Sequence, residues 1–183
     1  MIERLVALFI LLLVSPVLFI LLLITAIDLG ANPIYVQLRT VDGTRVFWFY
    51  KIRSMKLNAP LLSSFDFLES EKYITRWGRF IRGYSLDELL NLFCICKGDM
   101  KFIGPRPVII SERSLINLRV QHGIKGLPGL TGFAQVNGRD LVSLDQKVFY
   151  EKVYSLKKGS LLLRCYIILK TLQIVICKIG IRH

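Results

Sequence analysis

The amino-acid sequence predicts a mostly helical α/β protein in which an apolar, membrane-embedded N-terminal helix precedes a small basic domain with a short β-hairpin and amphipathic helices. Between Leu5 and Ile27 only Ser15, Pro16 and Thr25 interrupt an apolar run, which meets the roughly 20 residues a bilayer requires. The chain also combines 53% hydrophobic residues with a formal net charge of +12. Apolarity of that degree suits lipid or a large core, and basicity suits anionic partners, so a basic protein at a membrane reconciles the two. Beyond the apolar run, short strand-like stretches give way to helical periodicity. A length of 183 residues leaves room for one domain and its attachment, divided as 1–27 and 28–183.

The N-terminal element exceeds the 7–15 apolar residues of a signal peptide, and no small-x-small cleavage site precedes Asp28. Proline at position 16 removes a helical hydrogen bond and kinks the axis, while the Ser15 hydroxyl takes up part of the freed backbone. A kinked span and a re-entrant hairpin both fit. Arg4 precedes the segment, and Arg39, Arg45, Lys51, Arg53 and Lys56 follow it, a distribution that favours both ends on the cytoplasmic side.

Next come two strand-like runs, Ile34 to Leu38 and Val46 to Tyr50, joined by a turn at Asp42-Gly43, a predicted hairpin. Met55 to Tyr73 reads as a mobile connection with one helical turn. Arg76, Arg79 and Arg82 recur at a spacing of three around Trp77, Phe80 and Ile81, which predicts a short amphipathic helix with a basic side; a solvated charged face is the simplest reading of that stretch alone. From Leu141, turns lead to an apolar run, Leu161 to Ile179, whose Arg164, Lys170, Gln173 and Lys178 suit an interfacial helix better than a second span. The four cysteines, Cys94, Cys96, Cys165 and Cys177, lack disulfide spacing, and the only histidines, His122 and His183, are too remote to complete a zinc site, so reduced thiols are expected.

Three stretches could carry chemistry. In Ser85-Leu86-Asp87-Glu88 a capping residue is followed three positions later by Glu, the pattern of a capping box opening a helix. Asp87 and Glu88 would then complement the helix dipole; alternatively, an ionised Asp87 attacks phosphorus, or the pair binds a divalent cation. In Gly104-Pro105-Arg106-Pro107 two prolines stiffen a loop that can present Arg106 as a bidentate phosphate ligand, with a plain turn as the competing account. Gly126 to Asp140 reads as a loop in which Gly129, Gly132 and Gly138 permit tight turns.

Together these stretches are far more specific than each alone. Ser15-Pro16 in an apolar segment, Tyr50-Lys51-Ile52-Arg53-Ser54-Met55, Ser85 to Leu89, Gly98-Asp99-Met100, Gly104 to Pro107 and Gly129 to Arg139 occur in the order seen in the bacterial sugar transferase family. The chain resembles the small monotopic phosphoglycosyl transferases of that family over nearly its whole length. The resemblance implies a re-entrant helix hairpin kinked at Ser15-Pro16, a catalytic domain on the cytoplasmic face of the bacterial inner membrane, and transfer of a sugar 1-phosphate from a UDP-sugar to undecaprenyl phosphate. It implies Asp87 as nucleophile, forming an aspartyl-phosphosugar and releasing UMP, with Glu88 as its partner in Mg²⁺ coordination or positioning. Arg106 would contact a phosphate and Arg139 another part of the donor or the lipid phosphate, with Pro105, Gln135, Lys51 and Arg53 as further substrate-binding residues. Such a reaction opens the assembly of exopolysaccharide, O-antigen or a related glycoconjugate.

The sequence departs from the family pattern at Lys152 and Arg164, where an acidic residue is usual, and at Leu127, where a basic one is. Expected partners are therefore a UDP-sugar, undecaprenyl phosphate, membrane lipid and, for assembly, a second copy in a homodimer. Nucleic acid is not among them, although +12 and the aromatics Trp48, Tyr50 and Trp77 beside basic residues keep a membrane-tethered nucleic-acid protein as the alternative. A non-catalytic anchored subunit is the other.

Overall fold

The structure is a computed structural model that describes residues 1–60, 70–138 and 142–178. The chain divides into two compact units, each gathered from separate stretches: Met1–Gln37 with Trp48–Lys97, and Leu38–Phe47 with Gly98–Arg182.

The first unit opens with α1 (Ile2–Leu29), one helix that runs unbroken through Pro16. Pro16 has no N–H to give the Leu12 carbonyl four residues back. The Ser15 hydroxyl donates to that carbonyl at 2.8 Å instead, so the proline leaves no orphaned acceptor. Among the described residues α1 is the one helix long and apolar enough to cross a membrane. Leu5, Phe9, Leu12, Leu13, Phe19, Ile20 and Ile27 stay exposed along it. An apolar surface of that extent belongs in lipid.

The opposite side of α1 packs inward. Leu18 and Leu21 form a core with Ile52 and Ile81, flanked by Leu11, Leu22, Trp77, Leu86, Leu89 and Leu90. Thr25, fully buried, donates to the Leu21 carbonyl and accepts from Trp77 Nε1. Trp77 lies on α2 (Arg76–Gly83), whose N-cap Thr75 accepts from the Gly78 amide and donates to Asp28 at 2.7 Å. Arg76, Arg79 and Phe80 face outward on this helix and Ile81 inward, the amphipathic arrangement that the arginine spacing predicts.

The predicted hairpin forms as β1 (Ile34–Thr40) and β2 (Val46–Ile52), and its tip belongs to the second unit. Asp42 Oδ1 accepts from the Thr44 amide and hydroxyl, a side-chain-capped turn of the kind that Asp-Gly signals. Met55 bridges Ile74, and Ser70–Tyr73 form one 3₁₀ turn; the middle of the expected connection lies outside the described residues. α3 (Asn91–Lys97) completes the first unit.

In the second unit β3 (Lys101–Ile103) pairs in parallel with β5 (Gly129–Thr131). β4 (Val108–Ile109) pairs antiparallel with β1, Arg39 opposite Ile109, in a sheet of order β2-β1-β4. α4 (Arg113–Gln121), α5 (Phe133–Val136), α6 (Leu144–Lys157) and α7 (Leu161–Cys177) complete it. Val41, Val108, Leu115, Ile116, Ile124 and Val148 form one core and Ile103, Val136, Ile167 and Ile174 another. Ile167 and Ile174 are the buried stripe of α7, whereas Leu161, Leu162, Leu169, Leu172 and Ile176 are exposed on it.

Three expectations need correction. Residues 126–138 are not a bare loop, because they hold β5 and α5. Gly129 and Gly132 do not make tight turns there: a methyl group at Gly129 would collide with the Gly104 backbone nitrogen and one at Gly132 with the Gly104 carbonyl. Only residues without a Cβ let two backbones come so close. The third correction is the capping box. Ser85 makes no side-chain cap, residues Leu86–Glu88 form a 3₁₀ turn, and the helix begins only at Asn91.

Candidate active site

The sequence brings Asp87 and Glu88 together as neighbours, and the fold adds a cation. Lys51 Nζ, on β2, lies 2.8 Å from Glu88 Oε1 and 3.5 Å from Asp87 Oδ2. All three side chains are largely withdrawn from water, Asp87 most of all, with 9% of its side chain exposed. A buried carboxylate pair without a cation would repel strongly, and the ammonium between them offsets that repulsion. Lys51 also stands 5.6 Å from the Phe49 ring, two residues back on the same face of the strand.

Backbone geometry fixes the pair. Ser85 has φ 54° and ψ 24°, the left-handed region that residues with a Cβ seldom enter. Its amide is bonded to the Arg82 carbonyl, so Ser85 finishes the turn that closes α2 and is not available to open the next helix. Asn91, fully buried, then ties the two halves of the cluster. Its Oδ1 accepts from the Tyr50 amide of β2 at 3.1 Å, and its Nδ2 donates to the Glu88 carbonyl at 3.2 Å. Strand and turn, and thus Lys51 and the carboxylates, are held in register by this one amide. Sequence reasoning did not single out Asn91; a polar residue between Leu90 and Leu92 is its only trace.

Arg53, also in the first unit, stacks at 5.7 Å on Tyr35, and its Nε is buried without a hydrogen-bond partner. The thiols are free, as expected; Cys94 is buried and donates to the Trp48 carbonyl at 3.3 Å.

The second unit holds the Gly104 to Pro107 loop. Pro105 and Pro107 are buried and Arg106 is half-buried between them. The Pro105 carbonyl accepts from the Gly129 amide, the Arg106 carbonyl from Arg119, and the Pro107 carbonyl from Arg39. Gln135, on α5, donates to the Leu130 carbonyl, and its Oε1 is buried and unpartnered. Arg139 lies outside the described residues. Of the family departures, Lys152 and Arg164 are exposed on α6 and α7. Leu127 lines a cleft of about 310 Å³ with Arg45, Lys125, Asp42 and Phe47.

Comparison with known proteins identifies the family. The profile of a family described as bacterial sugar transferase matches residues 1–178. Among curated relatives, an undecaprenyl-phosphate galactose phosphotransferase of Salmonella typhimurium is 36% identical over 82% of this chain and 35% of its own length. A UDP-galactose-lipid carrier transferase of Erwinia amylovora is 36% identical over 95% of this chain and 39% of its own. The exopolysaccharide production protein ExoY of Sinorhizobium fredii is 28% identical, and the match covers 97% of this chain and 85% of ExoY. The chain thus spans under two fifths of the length of the first two and most of the third. On the match over residues 1–178, the chain belongs to the bacterial sugar transferase family.

Proposed function

We propose that this protein transfers a sugar 1-phosphate from a UDP-sugar to undecaprenyl phosphate at the cytoplasmic face of the bacterial inner membrane, with Asp87 as nucleophile. The observation that carries this reading is the Lys51, Asp87 and Glu88 cluster: a buried carboxylate, fixed by a strained turn, beside a second carboxylate and an ammonium. The Salmonella and Erwinia relatives, named for undecaprenyl-phosphate and lipid-carrier transfer, support the substrate classes.

In this scheme an Asp87 oxygen attacks the β-phosphorus of the donor. The bond from that phosphorus to the oxygen bridging the α-phosphate breaks, and UMP leaves with the electron pair. The sugar phosphate remains on Asp87 as an acyl phosphate. An oxygen of undecaprenyl phosphate then attacks the same phosphorus, and the carboxylate of Asp87 is released. A covalent intermediate divides one transfer between bulky anions into two displacements. Lys51 bonds Glu88 throughout and offsets charge beside the reacting phosphorus. Arg106 serves as a phosphate ligand, with Arg139, Gln135, Pro105 and Arg53 in substrate contacts.

Asp87 and Glu88 fit Mg²⁺, which commonly takes one or two carboxylates and completes its shell with phosphate oxygens and water. When bound, the ion neutralises diphosphate charge. Incubating membranes with a panel of UDP-sugars and undecaprenyl phosphate should release UMP for at least one donor; no UMP from any donor would overturn the reading.

We further read α1 as re-entrant, kinked at Pro16. Both its ends meet the same unit: the Arg4 carbonyl lies 4.0 Å from Cys96 Sγ, and Thr25 and Asp28 bond Trp77 and Thr75. A straight helix of 28 residues measures about 42 Å, more than a bilayer's hydrocarbon core, so a span would carry one end away to the far side. The exposed apolar side of α7 rests at the interface, with the Arg76 and Arg79 face of α2 toward anionic headgroups. Tags at both termini should be accessible from the cytoplasm. Pro16→Leu, which restores the missing hydrogen bond, should shift the N-terminal tag toward the periplasm. A periplasmic N-terminus in the unaltered protein would establish a span.

A further inference from the structure

We infer that Arg119 is a positioning residue for Arg106, a role that rests on the reading of Arg106 as a phosphate ligand. Arg119 lies on α4 and is only 1% exposed. Its Nε donates to Glu151 Oε2 at 2.8 Å and its Nη2 to Glu151 Oε1, a two-pronged pair with α6. The same guanidinium donates from Nη2 to the Arg106 carbonyl at 2.8 Å and from Nη1 to the Val41 carbonyl at 3.2 Å. One buried group therefore links the proline loop, the hairpin tip and two helices.

Stability alone does not account for this group. A buried ion pair is commonly matched or surpassed in stability by well-packed apolar residues of similar volume. What apolar residues cannot supply is directed donors to two carbonyls. The loop needs such donors from outside, because Pro105 and Pro107 have no N–H and cannot fasten it through their own amides. Three successive carbonyls are held in this way: Pro105 by the Gly129 amide, Arg106 by Arg119 and Pro107 by Arg39. The middle bond is on the residue whose side chain is to meet a phosphate. A two-pronged phosphate contact depends on the direction of the guanidinium, and that direction follows the backbone Arg119 holds. Arg119 itself is enclosed, so it acts through Arg106 and not on the donor.

The test is a double-mutant cycle in the full-length membrane protein, using the UDP-sugar that the unaltered protein turns over and UMP release as readout. The paired change R119M/E151M removes the ion pair without stranding a charge. It should leave a cooperative thermal transition while lowering kcat/KM at least about tenfold, the scale of one charge-assisted hydrogen bond. In an Arg106→Lys background the same pair of changes should cost less than about twofold, because coupled residues do not add. Equal losses in both backgrounds would assign Arg119 a merely structural role and overturn the inference, as would full activity of R119M/E151M. If the paired variant does not fold, Arg119→Lys runs the same cycle: it retains a cation for Glu151 but cannot reach both carbonyls. Should Arg106→Lys alone leave activity intact, the phosphate reading fails and the positioning role falls with it. A strong Arg106→Lys defect with additive Arg119 changes removes only the positioning role.

Discussion

Asp87→Asn is expected to reduce UMP release at least about a thousandfold while the protein still inserts and folds. The amide keeps the shape of the side chain and can still hydrogen-bond to Lys51, so the turn from Leu86 to Glu88 survives. It is not a nucleophile toward phosphorus. Lys51 would keep its 2.8 Å bond to Glu88, and loss of one charge from a three-charge cluster removes no partner that the other two require. Incubation of the unaltered protein with a donor radiolabelled in the β-phosphate should leave label on the protein, and the Asn variant should leave none. Excess chelator should stop turnover in the unaltered protein, because the leaving group's charge would no longer be neutralised. Turnover of the Asn variant near the unaltered rate would remove Asp87 from the chemistry, and full activity in chelator would remove the metal.

Arg106→Lys is expected to lower kcat/KM about ten- to hundredfold, since a point charge replaces a planar fork at a fixed loop. Arg79→Lys provides the comparison. Arg79 is exposed on α2, where a solvated or headgroup-facing cation needs only its sign, so the change should alter activity less than about twofold. Both substitutions conserve net charge, the first at a half-buried side chain and the second at an exposed one. Equal, small effects at the two positions would make Arg106 an ordinary turn residue.

Much of this arrangement was legible in the sequence, and the failures are physical. The apolar helix, the hairpin and α2 each rest on local patterns that tertiary contacts reinforce. The chain contains Ser-Leu-Asp twice, followed once by Glu88 and once by Gln146, and the pattern alone predicts a capping box at either. Only the second forms it, with the Ser143 hydroxyl accepting from the Gln146 amide and the Gln146 side chain from the Ser143 amide. Ser143 has the extended backbone that an N-cap needs, φ −63° and ψ 166°, whereas Ser85, which follows the C-cap Tyr84 of α2, is left-handed. The same four-residue signal thus gives a helix start in one place and a strained turn bearing two carboxylates in the other. α6 went unread despite its cap.

The candidate site was legible where neighbours in sequence carry it and illegible where the fold assembles it. Asp87 and Glu88 are adjacent, so their chemistry shows in one dimension. The resemblance implies only a substrate contact for Lys51, and its ion pair with residues 36 and 37 positions away cannot be read from spacing. Asn91, Arg119 and Glu151 were missed for the same reason. Arg119 did leave a trace, since it follows Leu115 and Ile116 at helical spacing and so places a charge on the buried stripe of α4.

The order of synthesis gives α1 a second requirement. Its packing partners in the first unit extend to Lys97, so several seconds separate its emergence from theirs at roughly 5–20 residues per second. During that interval the helix must persist in lipid with the side it will later bury still open. Ala7, Leu18 and Leu21 tolerate that exposure because they are apolar. The exception, Thr25, bonds the Leu21 carbonyl within its own helix before Trp77 exists to reach it. The one polar side chain on the inward face of α1 thus has a partner within its own helix, independent of the residues made after it.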